Sequence, residues 1–212
     1  MAGADKTQPN EPYAGASGDL AVLFADIAGS TKLYEALGDT QAKILIDEAL
    51  GGMRAITERH RGSVIKTIGD ELMCVFPDAE RGFLAAMDMQ LLVHALPVAK
   101  SVKRMIRIGF HFGAVIVEKG DVFGDTVNLA ARMAGLAKGM QIMTTRTTVD
   151  ALPAALRAST RQIAALPSRA RPTTSRCAKC SGRKATTSRW PPGRCRRPRS
   201  GSSLRCGTER RS

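Results

Sequence analysis

The chain has 212 residues and a formal net charge of +13, a length that suits one domain, or one domain with a tail. The charge is uneven: residues 1–167 carry 18 basic and 18 acidic side chains, whereas residues 168–212 carry 14 basic side chains and Glu209 as the single acid. No apolar stretch approaches the roughly 20 residues that a membrane-spanning helix needs, which predicts a soluble, cytoplasmic protein.

The first predicted elements follow a polar start. Residues 1–18 have no apolar run behind a basic flank, so they are not a secretory signal, and their Ala, Gly, Pro and polar content predicts a disordered segment. Residues 20–25 form a nearly continuous apolar run, which predicts a buried strand. A helix that Ser30 or Thr31 can cap follows, with an irregularity near Gly38.

The middle of the chain predicts a hairpin, because apolar strand-like residues 63–68 and 72–76 flank Gly69-Asp70. The later predicted elements are a helix after Pro77-Asp78 with a stripe of Phe83, Met87, Leu91 and Ala95, a strand over 105–117 with Gly109 and Gly113 as bends or close-approach points, a helix over 125–136, a strand over 141–144 and a helix over 147–156. The order β-α-β-β-α-β with additions predicts a ferredoxin-like α/β (α+β) fold over residues 19–167.

Two aspartates fall at predicted turns. Asp26 lies where the first strand ends, and Asp70 lies on the hairpin turn. If strands one and two are neighbours, the two carboxylates converge and can bind two divalent cations about 3.5–4 Å apart. Gly29 lets the backbone approach a ligand closely, and free amides of residues 28–31 at a helix N-terminus favour phosphate. Taken singly, Gly69-Asp70 is also typical of a plain turn, and the Asp26 string of a simple helix cap.

Three segments together resemble the catalytic core of the class III nucleotidyl cyclases of bacterial type, which make cyclic AMP or cyclic GMP from a nucleoside triphosphate. These segments are residues 23–31, 64–71 and 121–133. One departure is that Ser30 replaces the phenylalanine that is commoner in the family.

The resemblance implies a role for each matching position. It assigns metal binding to Asp26, Asp70 and the backbone carbonyl of Ile27, substrate binding to Gly29, Ser30, Thr31, Lys66 and Asp121, and contacts with the ribose and with transition-state charge to Asn128 and Arg132. It also implies two Mg²⁺ or Mn²⁺ ions in each active site. An arginine suits phosphate because its planar fork donates two parallel hydrogen bonds.

Lys66 and Asp121 stand where the family reads the purine, and this pair is the one associated with adenine. An acidic acceptor at Asp121 suits the exocyclic amine of adenine, and Lys66 suits a ring nitrogen. Guanine would leave both groups mispaired, and unpaired buried polar groups discriminate strongly. The resemblance therefore implies an adenylate cyclase, with guanylate cyclase as the alternative.

In the family, the site is built by two chains: one supplies the metal aspartates, and the other supplies the residues that stand here as Lys66, Asp121, Asn128 and Arg132. Because this chain holds both sets, the resemblance implies a head-to-tail homodimer with two shared sites. A further alternative is an inactive cyclase-like protein that binds ATP, a cyclase partner, or nucleic acid through its basic tail.

Residues 168–212 differ in character from the rest, since Arg, Ser, Thr, Pro and Cys dominate and aliphatic residues almost vanish. The segment predicts a disordered tail and the loss of the family's final strands. A change of reading frame after Pro167 would explain it, because one permissible coding of 168–172 gives Val-Lys-Gly-Lys-Ala in the neighbouring frame. Two other interpretations stay open: an Arg-rich arm for nucleic acid, and half of a zinc site at Cys177 and Cys180.

Overall fold

A mixed sheet with helices on both faces is the centre of the fold. The structure is a computed structural model that describes residues 17–100, 102–163 and 177–180. Its strands are β1 (Ser17–Ile27), β2 (Ser63–Ile68), β3 (Glu71–Phe76), β4 (Ile106–Glu118), β5 (Asp121–Phe123), β6 (Gln141–Thr145), β7 (Thr160–Gln162) and β8 (Cys177–Cys180). Its helices are α1 (Ser30–Leu37), α2 (Asp39–Arg59), α3 (Ala79–Ala95), α4 (Asp125–Leu136), α5 (Arg146–Ala151) and α6 (Ala154–Arg157).

The strand order confirms the predicted ferredoxin-like plan. The strands run β2-β3-β1-β4-β6-β8-β7, and β5 pairs with β4 outside this path. The first four are antiparallel to their neighbours, whereas β6 is parallel to β4. The first strand of the chain therefore lies between β3 and β4, which places its end in the middle of the sheet.

Strand β1 is covered on both faces, which explains its continuous apolar sequence. Its even-numbered residues Leu20, Val22 and Phe24 belong to one buried cluster, together with Ala130 and Ala134 of α4. Its odd-numbered residues from Ala21 to Ile27 belong to a second cluster, which includes buried residues of α1, α2 and α3. Helix α4 thus covers one face of the sheet, and α1, α2 and α3 cover the other.

Several local predictions are confirmed. Gly38 separates α1 from α2 with a φ of 78°, a conformation that favours glycine. Strands β2 and β3 form the expected hairpin around Gly69-Asp70. Asp78 caps α3 by accepting a hydrogen bond of 2.7 Å from the backbone N–H of Arg81. In the described part of the chain, no helix is long and apolar enough to cross a membrane.

The predicted apolar stripe of α3 is confirmed at Phe83 and Met87 but wrong at Leu91 and Ala95. Phe83 is buried and the half-buried Met87 packs against the same core cluster, whereas Leu91 is 53% exposed and Ala95 is exposed. A strict spacing of four drifts around a helix that has 3.6 residues per turn. The buried face also includes small residues, and a Cβ atom on Gly82 would lie only 3.0 Å from the Cβ atom of Ala21.

Two predicted boundaries also need correction. The single helix expected over 147–156 is two helices, because Leu152 adopts an extended conformation before Pro153, as residues that precede proline prefer. The disordered start expected over 1–18 ends earlier, since Ser17 and Gly18 pair with Ile116 and Val115 of β4. The expectation for residues 1–16 lies outside the described residues.

The C-terminal part contains strands that the sequence did not predict. Residues 177–180 form β8, whose backbone pairs antiparallel with both β6 and β7. The expected absence of final strands is therefore wrong for these residues, because backbone pairing with an open sheet edge does not require apolar side chains. The expectations for the other residues of 164–212 lie outside the described residues.

Helix α4 crosses β4 very closely at Gly109, which confirms the predicted close approach there. A Cβ atom at Gly109 would lie 1.9 Å from the backbone nitrogen of Ala134. Because that neighbour is backbone rather than a flexible side chain, Gly109→Ala should lower the free energy of unfolding by about 3 kcal/mol or more. Urea denaturation would measure this loss.

Gly135→Ala is the matched control for this prediction. A Cβ atom at Gly135 meets nothing within 4 Å, and the residue lies inside α4. Alanine there should leave stability unchanged or raise it by up to ~1 kcal/mol. Equal stabilities of Gly109→Ala and the wild type would contradict the close crossing.

Candidate active site

A cavity of about 460 Å³ lies at the end of β1. Its lining comes from four segments that are remote in sequence: the stretch from the end of β1 to the start of α1, the β2–β3 turn, the start of β4 and the loop after α4. The lining residues are Asp26, Ile27, Ala28, Gly29, Ser30, Thr31, Asp70, Arg107, Ala137, Lys138 and Gly139. The cavity thus contains all six residues that the sequence assigned to metal binding or to the turn after β1.

The two aspartates converge as expected, although through a different strand pairing. The neighbour of β1 is β3 rather than β2, and Asp26 lies opposite Glu71 of β3. Asp70 directly precedes Glu71 on the hairpin turn, so the turn brings its carboxylate beside that of Asp26. Asp26 follows Leu20, Val22 and Phe24 on the face that α4 covers, where the apolar pattern of β1 ends.

Arg107 completes a row of charged side chains across three strands. It lies opposite Asp26 on β4, just as Glu71 does on β3. The Nε–H group of Arg107 donates a hydrogen bond to Oδ2 of Asp26 and forms an ion pair with it. One guanidinium therefore interacts with the Asp26 and Glu71 carboxylates at this end of the sheet.

The carboxylates repel one another in a partly dry environment. Burial raises the pKa of Asp26 above its ordinary value; Arg107 opposes this, and the charge of Asp70 adds to it. Burial also raises the pKa of Glu71, and the negative charge of Asp26 acts in the same direction. A bound cation would stabilise the ionised forms of carboxylates that burial and mutual repulsion disfavour. The cavity therefore favours positively charged ligands.

The start of α1 offers backbone donors to the same cavity. Gly29 is the N-cap residue with a φ of 78°, and the cap has no side-chain hydrogen bond, so the predicted cap by Ser30 or Thr31 is wrong. Ala28 uses its N–H group to bond the carbonyl of Met105 at 2.8 Å. The N–H group of Lys32 donates to the carbonyl of Gly29 at 3.0 Å. The amides at the start of the helix that stay available to a ligand are therefore those of Gly29, Ser30 and Thr31.

Lys66 and Asp121 form an ion pair at a different place. The Lys66 ammonium donates to both carboxylate oxygens of Asp121, at 2.9 and 2.6 Å. The hydrogen bond from Lys66 lowers the pKa of Asp121, and a bond from the backbone N–H of Val122 contributes further. The side chains stay 42% and 32% exposed, so the pair holds its geometry while both groups remain open to a ligand.

Asn128 and Arg132 lie one turn apart on the exposed face of α4. The opposite face of the helix, with Ala130 and Ala134, packs on the sheet. Neither residue is part of the cavity lining, and neither are Lys66 and Asp121. The structure thus brings together the predicted metal residues but keeps the other four apart from them within one chain.

The sequence interpretation missed Arg107 and Lys138, which both line the cavity. A signal for Arg107 exists, because it is a lone charged residue inside the apolar strand β4. Lys138 has no comparable signal, since a lysine in a loop is ordinary. His111 is buried outside the cavity lining, and its Nδ1 atom lies 2.7 Å from the Thr145 hydroxyl and 2.9 Å from the Thr148 hydroxyl.

A comparison with known protein families identifies the family of this chain. Residues 13–176 match the model of the adenylate and guanylate cyclase catalytic domain. The chain belongs to this cyclase family. The resemblance that the sequence suggested is confirmed.

Two curated relatives and one solved cyclase structure illustrate the match. The chain is 35% identical over 138 residues to an uncharacterized protein of Mycobacterium tuberculosis, covering 65% of this chain and 35% of that protein. It is 32% identical over 118 residues to an adenylate cyclase of Streptomyces coelicolor, covering 56% of this chain and 30% of that protein. The aligned region thus spans about a third of each curated relative.

The solved structure supports the cyclase fold. A Trypanosoma brucei adenylate cyclase in its monomeric state superposes with a TM-score of 0.69 at 21% identity, covering 84% of this chain and 94% of that one. At this level of identity the likeness establishes the fold alone. The mixed α/β architecture described above is therefore that of a cyclase catalytic domain.

Proposed function

We propose that this cyclase is an adenylate cyclase that converts ATP to 3′,5′-cyclic AMP and pyrophosphate, with two divalent metal ions, at sites shared by a homodimer. The observation that carries the proposal is the cavity in which the Asp26 and Asp70 carboxylates meet the start of α1 and Arg107. Carboxylates for metal ions and amides for phosphate are the groups that a metal–triphosphate ligand needs.

The donor set of the cavity fits Mg²⁺ or Mn²⁺. Both are hard cations that prefer oxygen ligands, and Mg²⁺ in particular is held by one or two carboxylates together with water and substrate phosphates. Asp26, Asp70 and the carbonyl of Ile27 supply such oxygens. Among the described residues no cluster of three or more His, Cys, Asp or Glu has the geometry of a metal site. The cavity therefore suits metal ions that bind together with a triphosphate.

The proposed reaction is an intramolecular displacement at the α-phosphorus. The ribose 3′-oxygen forms a bond to phosphorus, the bond from phosphorus to the bridging oxygen of the β-phosphate breaks, and pyrophosphate leaves with that electron pair. The hydroxyl proton passes to solvent. When bound, the metal ions supply positive charge for the 3′-oxygen and the triphosphate. Asp26 and Asp70 orient the reacting groups, and Arg107 and the α1 amides bind phosphate oxygens.

Lys66 and Asp121 support ATP over GTP. Their ion pair presents a cationic donor and an anionic acceptor side by side, 2.6 Å apart at the nearest atoms. An adenine edge offers an amine next to a ring nitrogen, which complements that order. Guanine presents a carbonyl and a ring N–H there. The Lys66 donor would then face a donor and the Asp121 acceptor would face an acceptor.

The separation of the two residue groups supports the homodimer. Asn128 and Arg132 project from the exposed face of α4, away from the cavity of their own chain. A second copy that presents this face to the cavity would bring a ribose-binding amide and a phosphate-binding guanidinium to the metal residues. A two-fold dimer would form two such sites, because each chain holds both groups.

The test is a turnover assay of the full chain with Mg²⁺ or Mn²⁺ and either ATP or GTP. We expect kcat/KM for ATP to exceed that for GTP at least about tenfold. The double variant Lys66→Gln with Asp121→Asn should narrow this gap, mainly through a lower kcat/KM for ATP. Formation of cyclic AMP and pyrophosphate would be measured together.

A matched control is the double variant Lys43→Gln with Asp47→Asn. These residues form an exposed ion pair of 2.7 Å on α2, outside the cavity. Their replacement should leave the ATP:GTP ratio unchanged. A wild type that prefers GTP would show that the chain is a guanylate cyclase instead. A folded chain without turnover of either nucleotide would overturn the enzymatic proposal.

A further inference from the structure

Lys138 places a cation on the cavity wall without an acidic partner. It lies in the loop between α4 and β6 and lines the cavity with Asp26 and Asp70. Within residues 17–100, 102–163 and 177–180, the Lys138 ammonium forms no ion pair and no hydrogen bond. Arg107, the other cation of the lining, is already paired with Asp26. Lys138 therefore has its whole charge available to a ligand.

The backbone on both sides of Lys138 is fixed. Its N–H group donates to the Gln141 side-chain oxygen at 3.3 Å, and its carbonyl accepts from the Gln141 N–H at 3.0 Å. The N–H of Met140 donates to the carbonyl of Ile106 at 2.8 Å, which ties the loop to β4. The position of the lysine is thus set by the end of the sheet, although its side chain is exposed.

Gly139 holds the loop against the wall that carries the α1 amides. A Cβ atom there would lie 3.4 Å from the Cβ atoms of Ala28 and of Met105. Ala28 directly precedes Gly29, the N-cap of α1. The loop and the start of the helix therefore form one continuous surface, with backbone donors on one part and the Lys138 ammonium on the other.

We propose that Lys138 binds the β- and γ-phosphates of the nucleotide, from the same protomer as Asp26 and Asp70; this inference rests on the proposed function. A triphosphate carries about four negative charges at neutral pH. Two divalent ions bound to two carboxylates offset only half of that charge. Cationic side chains must offset the rest, and Arg107 and Lys138 are cationic side chains of the same protomer that line the cavity.

The test is the affinity of the full chain for inorganic tripolyphosphate in the presence of Mg²⁺, measured by calorimetry. Lys138→Ala should weaken binding about tenfold, as expected for the loss of one charge-assisted hydrogen bond. Lys138→Arg should restore most of the affinity. The difference between Lys138→Ala and the wild type should shrink as salt is added, since the group is exposed to solvent.

Kinetics separate binding from a merely structural role. For Lys138→Ala, the KM for ATP and the inhibition constant of pyrophosphate should both rise, while the thermal midpoint stays that of the wild type. Lys43→Ala on α2, which removes an exposed lysine outside the cavity, should change neither constant. If the wild type turns over ATP and Lys138→Ala matches Lys43→Ala, the role of Lys138 is refuted and the proposed function stands. If the folded wild type neither binds tripolyphosphate nor turns over ATP, both are refuted.

Discussion

Replacement of Asp26 or Asp70 by asparagine is expected to lower kcat for cyclic AMP formation at least about a thousandfold, because each change removes a negative oxygen ligand where two metal ions are proposed to bind. Asparagine keeps the size of the side chain. The fold should therefore survive. The change in thermal midpoint should be small at Asp26, because burial already disfavours the negative charge that the substitution removes.

The measurement pairs turnover with metal binding. Mn²⁺ titration in the presence of a non-reactive ATP analogue should show weaker or fewer bound ions in both variants than in the wild type. Asp47→Asn is the control, because Asp47 is an exposed acid on α2 whose partner is Lys43. Wild-type turnover of either active-site variant at saturating Mg²⁺ would rule out the metal assignment.

The elements of the fold could largely be predicted because their signals are local. The apolar run of β1, the glycine between α1 and α2 and the Gly69-Asp70 hairpin each act within a few residues of chain. The stripe of α3 was only partly predicted because alanine and glycine carry little hydrophobic signal, yet Gly82 decides how closely the helix approaches Ala21. Strand β8 was missed because its pairing is a backbone interaction with β6 and β7.

Only some of the residues that line the cavity could be predicted from the sequence, because the others depend on contacts between distant elements. Asp26 and Asp70 could be predicted as site residues because each is an acid at the end of an apolar run. Arg107 is 81 residues from Asp26 in sequence, and only the pairing of β1 with β4 brings them together. Lys138 depends in addition on where α4 ends above the sheet. A residue whose role follows from the register of two distant elements leaves no local pattern in the sequence.

The positions of Asn128 and Arg132 relative to the cavity determine whether the active site can lie within one chain. Within one chain the carboxylates face the cavity, whereas Asn128 and Arg132 face outward from α4. If these groups act on the same nucleotide, they must come from different copies. A defect in one group should then be complemented by an intact partner, which a site confined to one chain does not allow.

Mixing inactive Asp26→Ala with inactive Arg132→Ala is therefore expected to restore about a quarter of the wild-type rate, because half of randomly formed dimers are heterodimers and each has one intact site of two. Mixing Asp26→Ala with Asp70→Ala is the matched control. Both changes affect the carboxylate group, so every site in that mixture keeps a defect and no activity should return. Native mass spectrometry would establish that heterodimers form in both mixtures. Inactivity of the first mixture despite such heterodimers would place the whole site within one chain, since a shared site must recover when each copy supplies the group that the other lacks.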